Sequence, residues 1–287
     1  MKAIEFYNIT KDMLEKLADL HGVQNLERYY SLTDYKNKCF STMQGIPQVF
    51  ALMAFHATNA TMISNIVKFT NNYDFLKETL FDFSPKKMVG EYSTANRSES
   101  VTRLVDALRY NPNTGKGLQW NANKSHPKNK DKIVTRYAET LLDCAVYLSK
   151  FDDREAFLAD LLKHYENKDA ETLIKYFRQN VKHGFSVALT CDFLKEFDNE
   201  FCDLPKPDIH IKDTLNSVLG EKKRNDYEYI RAFQQLVYDI NNELPNDERI
   251  TVYQLDRMVW LMCSGKFFLD EVESIKKSYI KRLVDEI

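Results

Sequence analysis

Apolar residues recur at three- and four-residue spacing almost from one end of the chain to the other, the period of helices that each bury one face. Little interrupts that pattern, because only eight glycines and seven prolines punctuate 287 residues. Tight turns, bulges and strand boundaries draw on those two residue types, so the chain is expected to be helical rather than a many-stranded sandwich or barrel. The expected fold is all-α, with two helical lobes flanking a cleft. Residues 1–110 would form an N-terminal lobe joined by the helices of 221–287, residues 111–132 a basic loop, and residues 133–220 a second lobe.

Charge narrows the function classes. Forty Lys and Arg face 42 Asp and Glu, a balance that excludes a strongly basic nucleic-acid coat but allows a basic face. No uncharged apolar run approaches the ~20 residues of a membrane span; the longest, Val49 to Phe55, reads as a core segment. Glu5 stands where a signal peptide would be apolar. The five cysteines are odd in number, scattered and never in C-x-x-C spacing. That pattern suits reduced thiols in a cytoplasmic protein and offers neither a disulfide frame nor a zinc or iron–sulfur site.

Caps and breaks locate the helices. Thr10 is expected to cap a short helix through Met13, Leu14, Leu17 and Leu20 that stops at Gly22, and Pro47 to sit in the first turn of an apolar helix over Val49–His56. Met62–Phe69, Phe75–Phe83 and Val101–Tyr110 read as further helices, the last behind the polar stretch Ser93–Ser100. Asn111–Asp131 is the first clear break, a loop longer than an ordinary connection. It carries Lys116, Lys124, Lys128, Lys130 and Trp120, with Lys132 just beyond. Ile133–Leu148, Arg154–Tyr165, Ala170–Val181, Asp226–Asn242 and Thr251–Ser264 follow as amphipathic helices, Gly265 stopping the last, and a tail helix starts at Asp270.

The informative passage is Val181-Lys-His-Gly-Phe-Ser-Val-Ala-Leu-Thr-Cys-Asp-Phe-Leu-Lys-Glu-Phe197, followed by Leu204-Pro-Lys-Pro-Asp-Ile-His-Ile211. A helix ends near Val181, the chain turns at Gly184, and another helix starts at once. Backbone N–H groups left over at such a turn favour a phosphate. Pro207 fits the first turn of a helix carrying Asp208, Ile211 and Leu215. An Asp at a helix start is favoured as a carboxylate, so Asp208 is expected to stay ionised.

This passage resembles the helix-hairpin-helix DNA glycosylase superfamily, in which the hairpin pattern G-h-G-x-[KA]-x-A precedes a [PV]-x-D segment bearing the catalytic aspartate. The matching residues are Lys182-His-Gly-Phe-Ser-Val-Ala188, with Gly184 as the second glycine, and Asp208 in the aspartate position. Ala188-Leu-Thr-Cys-Asp-Phe-Leu-Lys-Glu196 and Lys206-Pro-Asp-Ile-His210 look closest to the branch that includes archaeal 8-oxoguanine DNA glycosylases. Tyr253-Gln-Leu-Asp-Arg-Met-Val-Trp-Leu-Met-Cys-Ser-Gly265 is similar to a helix of its relatives. Two residues depart from the pattern: Lys182 replaces the first hairpin glycine, and Ser186 stands where bifunctional members carry a Schiff-base lysine.

The resemblance implies a base-excision repair enzyme that hydrolyses the N-glycosidic bond of a flipped damaged or modified base. It would be monofunctional, because a hydroxyl cannot form an imine with the sugar; Lys182 or Lys206 could still supply a displaced amine. Asp208 would be catalytic. Lys182, His183, Gly184, Phe185, Ser186 and Lys206 would contact DNA, and Gln48, Trp120 and Trp260 would serve as base pocket or wedge. The partner would be double-stranded DNA with a modified base, met by a monomer away from any membrane, with no metal and no cofactor. The rival is a catalytically silent helix-hairpin-helix DNA-binding protein. Individual residues have plainer alternatives: Asp208 as a helix cap, His183 and His210 as structural histidines, the lysine loop as a solvated loop, Trp260 as core. Gln48 and His56 are polar in an apolar helix, and each needs a partner in protein or ligand.

Overall fold

The computed structural model describes residues 1–29, 43–58, 69–70, 72–109, 128–220, 225–267, 270–271 and 274–285. The described chain is all-α, apart from a ladder of two residues a side in which Lys266–Phe267 (β1) pairs antiparallel with Asp270–Glu271 (β2). It divides into two compact units, Met1–Lys36 with Leu194–Ile287, and Asn37–Phe193.

In the first unit α1 (Ala3–Leu20) lies against α11 (Asp226–Glu243), α12 (Val252–Ser264) and α13 (Lys276–Asp285), with α10 (Ile209–Leu219) packed on α11, α12 and α13. Phe6, Leu14 and Leu17 of α1 share one core with Leu215, Phe233, Val259 and Leu283. Thr10 is not a cap. It sits fully buried inside α1, its Oγ1 2.9 Å from the Tyr279 hydroxyl, and the helix starts two turns earlier, where Glu5 accepts the Lys2 N–H. The tail helix starts at Lys276 rather than Asp270, because the first residues of that tail pair in the ladder.

The second unit is built on α6 (Lys128–Leu148), against which α2 (Gly45–Thr58), α4 (Pro85–Tyr92) and α5 (Arg97–Arg109) pack; α3 (Tyr73–Thr79), α7 (Arg154–Lys163) and α8 (Ala170–Asn180) complete it. The Tyr137 hydroxyl donates to the Ala54 carbonyl across the α2–α6 contact. Helix α3 ends at Thr79, short of Phe83, because Phe81, Asp82 and Phe83 all take positive φ and reverse the chain into α4. Helix α4 itself went unread in the periodicity, although its start is an ordinary one: Ser84 Oγ accepts the Lys87 N–H and Pro85 takes the first position.

Two boundaries are corrected. Helices α2, α4 and α5 pack on α6 and belong to the unit 37–193 rather than with the terminal helices, whereas α1 belongs with the latter. The hairpin and Asp208 accordingly fall in different units, the division lying within α9 (Val187–Phe197). The basic segment is helical from Lys128 onward, since lysine is a good helix former and needs no apolar period to extend α6 backwards. Trp120, Lys116 and Lys124, like the helix expected over Met62–Phe69, lie outside the described residues apart from Phe69.

No described helix is long and apolar enough to cross a membrane. Cys144, Cys191, Cys202 and Cys263 are in no disulfide, and three of them are buried.

Candidate functional site

The hairpin turn is held by one carboxylate. Helix α8 starts on Asp169, whose Oδ1 accepts the Glu171 and Thr172 N–H groups, and it closes at Val181. The next two backbone N–H groups, of Lys182 and His183, both donate to Asp143 Oδ2 at 3.0 Å, and His183 Nδ1 lies 2.7 Å from the same oxygen. Arg97 binds the other oxygen at 2.6 Å and also donates to the Glu139 carbonyl. A phosphate at the Lys182 and His183 amides is thereby excluded: α6 supplies their anion from within. His183 is a structural partner of Asp143 in this arrangement.

Gly184 carries φ +78°, and the Phe185 N–H donates to the His183 carbonyl across it, a γ-turn. A Cβ at Gly184 would lie 2.1 Å from Thr140 Oγ1 on α6, so a glycine is required by both the turn and the helix behind it. Phe185 is buried against Phe177 and Phe193, and its carbonyl accepts from Arg178 Nε. Ser186 caps α9: its Oγ accepts the Leu189 N–H, and its carbonyl accepts from Thr190. The amides of Gly184, Ser186, Val187 and Ala188 carry no hydrogen bond among the described residues. Lys182 is exposed beside them.

Asp143→Ala removes an acceptor from two amides, a histidine and an arginine at once. The expected loss of stability is about 2–4 kcal/mol, with Asp143→Asn less damaging because it keeps one acceptor; urea unfolding of both variants measures it.

In the first unit, Asp208 is the N-cap of α10 and not its first-turn residue, with Pro207 just outside the helix. Asp208 Oδ1 accepts the N–H groups of His210 and Ile211 at 2.9 and 3.1 Å. The Asp208 N–H donates to the Lys206 carbonyl at 2.7 Å, closing a three-residue turn about Pro207. Among the described residues Oδ2 has no hydrogen bond and Asp208 no ion pair; Lys212 is taken by Asp226 and Lys276 by Asp213, each at 2.6 Å. The half-buried His210 has its Nδ1 buried with no partner among the described residues. Burial pushes its imidazole below the ordinary value, against the pull of Asp208.

Beside this segment lies a buried ion pair that the sequence reading missed. Lys195 Nζ sits 2.5 Å from Asp256 Oδ2, and the Lys206 N–H donates to the same oxygen at 3.0 Å. Both side chains are nearly solvent-free, 3% and 4% exposed. Burial pushes the Asp256 carboxyl above its ordinary range; Lys195 opposes that shift, and the charge of Asp208 adds to it. The signal was present in the sequence, since Asp256 falls on the stripe of Val252, Leu255 and Val259, and Lys195 follows Cys191 and Leu194 on α9.

The remaining residues expected at a base pocket belong to different units. Trp260 is half-buried on the core of the first unit, with the Arg257 guanidinium 4.7 Å from its ring centroid. Gln48 is half-buried on α2 in the second unit. His56 is buried with its Nδ1 3.6 Å from Asp192 Oδ2, too far for a hydrogen bond between those two atoms. Among the described residues no group of three or more His, Cys, Asp or Glu is placed to hold a metal.

The chain matches no protein-family model, no curated protein and no solved structure.

Proposed function

We propose that this protein is a DNA glycosylase that hydrolyses the N-glycosidic bond of a damaged or modified base flipped out of duplex DNA, leaving an abasic site. The observation that carries the reading is the carboxylate of Asp208. One oxygen is fixed by two helix amides, while the other is held in place without a protein partner among the described residues. Departure of the base takes the bonding electrons with it and leaves positive charge on the deoxyribose. An oriented carboxylate stabilises that charge and positions a water, whose oxygen bonds to the sugar carbon while its proton passes to the departed base. The Gly184 turn and the unsatisfied amides at the start of α9 suit a backbone phosphate, with Lys182 alongside. Ser186, occupied as a helix cap, supplies no amine, so the product is an abasic site rather than a nicked strand.

The test is incubation with duplexes carrying single modified bases, 8-oxoguanine among them, followed by alkali. Asp208→Asn is expected to lower abasic-site formation about a hundredfold or more, and borohydride to trap no adduct with the parent protein. Duplex binding without any abasic product supports the silent DNA-binding alternative, and full activity in Asp208→Asn refutes the mechanism.

A further inference from the structure

A carboxylate and an ammonium buried together are weak evidence for stability, because apolar residues of the same volume often do as well. The Lys195–Asp256 pair therefore calls for a reason beyond holding α9 to α12. Its geometry supplies one. Asp256 Oδ2 receives two donors, and the second is not a side chain but the backbone N–H of Lys206, two residues before Asp208. From there the chain has little freedom: the Lys206 carbonyl takes the Asp208 N–H, and Pro207 between them has a fixed φ. Asp208 Oδ1 is then locked onto α10.

We propose that Asp256 is the positioning residue of the Asp208 site: it anchors the Lys206 amide, and through the Pro207 turn aims the free oxygen of Asp208, while Lys195 holds Asp256 in place. This rests on the glycosylase reading and deepens it. Asp256 touches no substrate. It acts through the placement of one carboxylate whose neighbouring cations, Lys212 and Lys276, are already paired elsewhere.

The test needs no knowledge of the base. Duplexes are prepared with a pyrrolidine abasic-site analogue, cationic at neutral pH and so a mimic of the charged sugar, or with the neutral tetrahydrofuran analogue. The ratio of the two dissociation constants reports how well a carboxylate is aimed at the charge, whereas general loosening weakens both complexes alike. The parent is expected to prefer the cationic duplex by about tenfold or more, and Asp208→Asn to lose that preference. Two double variants separate anchor from charge. Lys195→Met with Asp256→Asn keeps an acceptor for the Lys206 N–H and is expected to retain the ratio within about threefold. Lys195→Met with Asp256→Val removes the acceptor, and its ratio is expected to collapse toward one.

Equal ratios in the two double variants overturn the positioning role while leaving the glycosylase reading intact. A parent without preference, or an Asp208→Asn variant that keeps it, overturns both. Should the valine variant fail to fold, Asp256→Glu moves the anchoring oxygen by one methylene while keeping the charge. A reduced ratio in that variant supports the anchor, and an unchanged one refutes it.

Discussion

Gly184→Ala is expected to destabilise the protein by about 2–5 kcal/mol, a large fraction of the stability of a domain this size. Two terms add. An alanine at φ +78° carries about 1–2 kcal/mol of backbone strain, and its Cβ would fall within 3.0 Å of Oγ1, Cγ2 and Cβ of Thr140, an overlap of the kind that costs about 1–3 kcal/mol. The terms are separable. Adding Thr140→Ala removes the two closest atoms and should return the overlap part while leaving the strain. The double variant is thus expected to be more stable than Gly184→Ala despite losing the Thr140 bond to the Arg136 carbonyl. Urea unfolding of the parent, both singles and the double measures the coupling. A Gly184→Ala protein within about 0.5 kcal/mol of the parent, the usual range for featureless surface positions, would show that the turn is not as described.

Lys195→Met is expected to cost about 3–5 kcal/mol at neutral pH, because it strands the Asp256 carboxylate in the interior with only the Lys206 N–H. Its pH dependence has a definite sign. Burial already raises Asp256 above its ordinary value of 3.8, and removing Lys195 raises it further. A carboxyl that holds its proton more tightly in the folded state favours folding below its ordinary value and loses that advantage as pH rises through the folded value. The deficit of Lys195→Met relative to the parent should therefore be small in acid and widen as pH rises above the ordinary carboxyl range. A deficit that stays constant or narrows would mean that Asp256 is not the group left behind. Replacing Asp256 with leucine in the same chain should recover most of the loss, since no buried charge then remains.

Several helices were legible where a cap and an apolar stripe coincide, although α4, with both, was not. Thr251 with Gln254 opens α12 and Gly265 closes it, Asp153 and Asp169 open α7 and α8, and each of these starts is visible in the sequence alone. Thr10 misled for a physical reason: a threonine that serves as a cap in one setting is a buried hydrogen-bonding residue in another, and its partner lies on the last helix. The Phe81–Phe83 reversal was illegible because no glycine marks those positive φ angles. At the candidate site, the Gly184 turn and the helix start at Asp208 were readable from local spacing. Asp143 was not, since its role arises from the backbone of Lys182 and His183, 39 and 40 residues away in the chain; a charge on an apolar stripe marks Lys195 and Asp256, but not that they pair 61 residues apart or that Asp256 holds the Lys206 amide. The same distance effect undid the expected domain boundaries, because an apolar stripe says that a helix is covered but not by what.

The first unit is closed by its two most remote segments, Thr10 and Tyr279 being 269 residues apart. Synthesis releases α1 before α11, α12 and α13, so Phe6, Leu14 and Leu17 lack their partners on those helices until more than 200 further residues have been added. The contiguous second unit has its partners in hand much sooner. Order of synthesis and order of completion are therefore opposed: residues 37–193 can complete their own core before α1 meets its partners, and in the interval the apolar face of α1 stays uncovered.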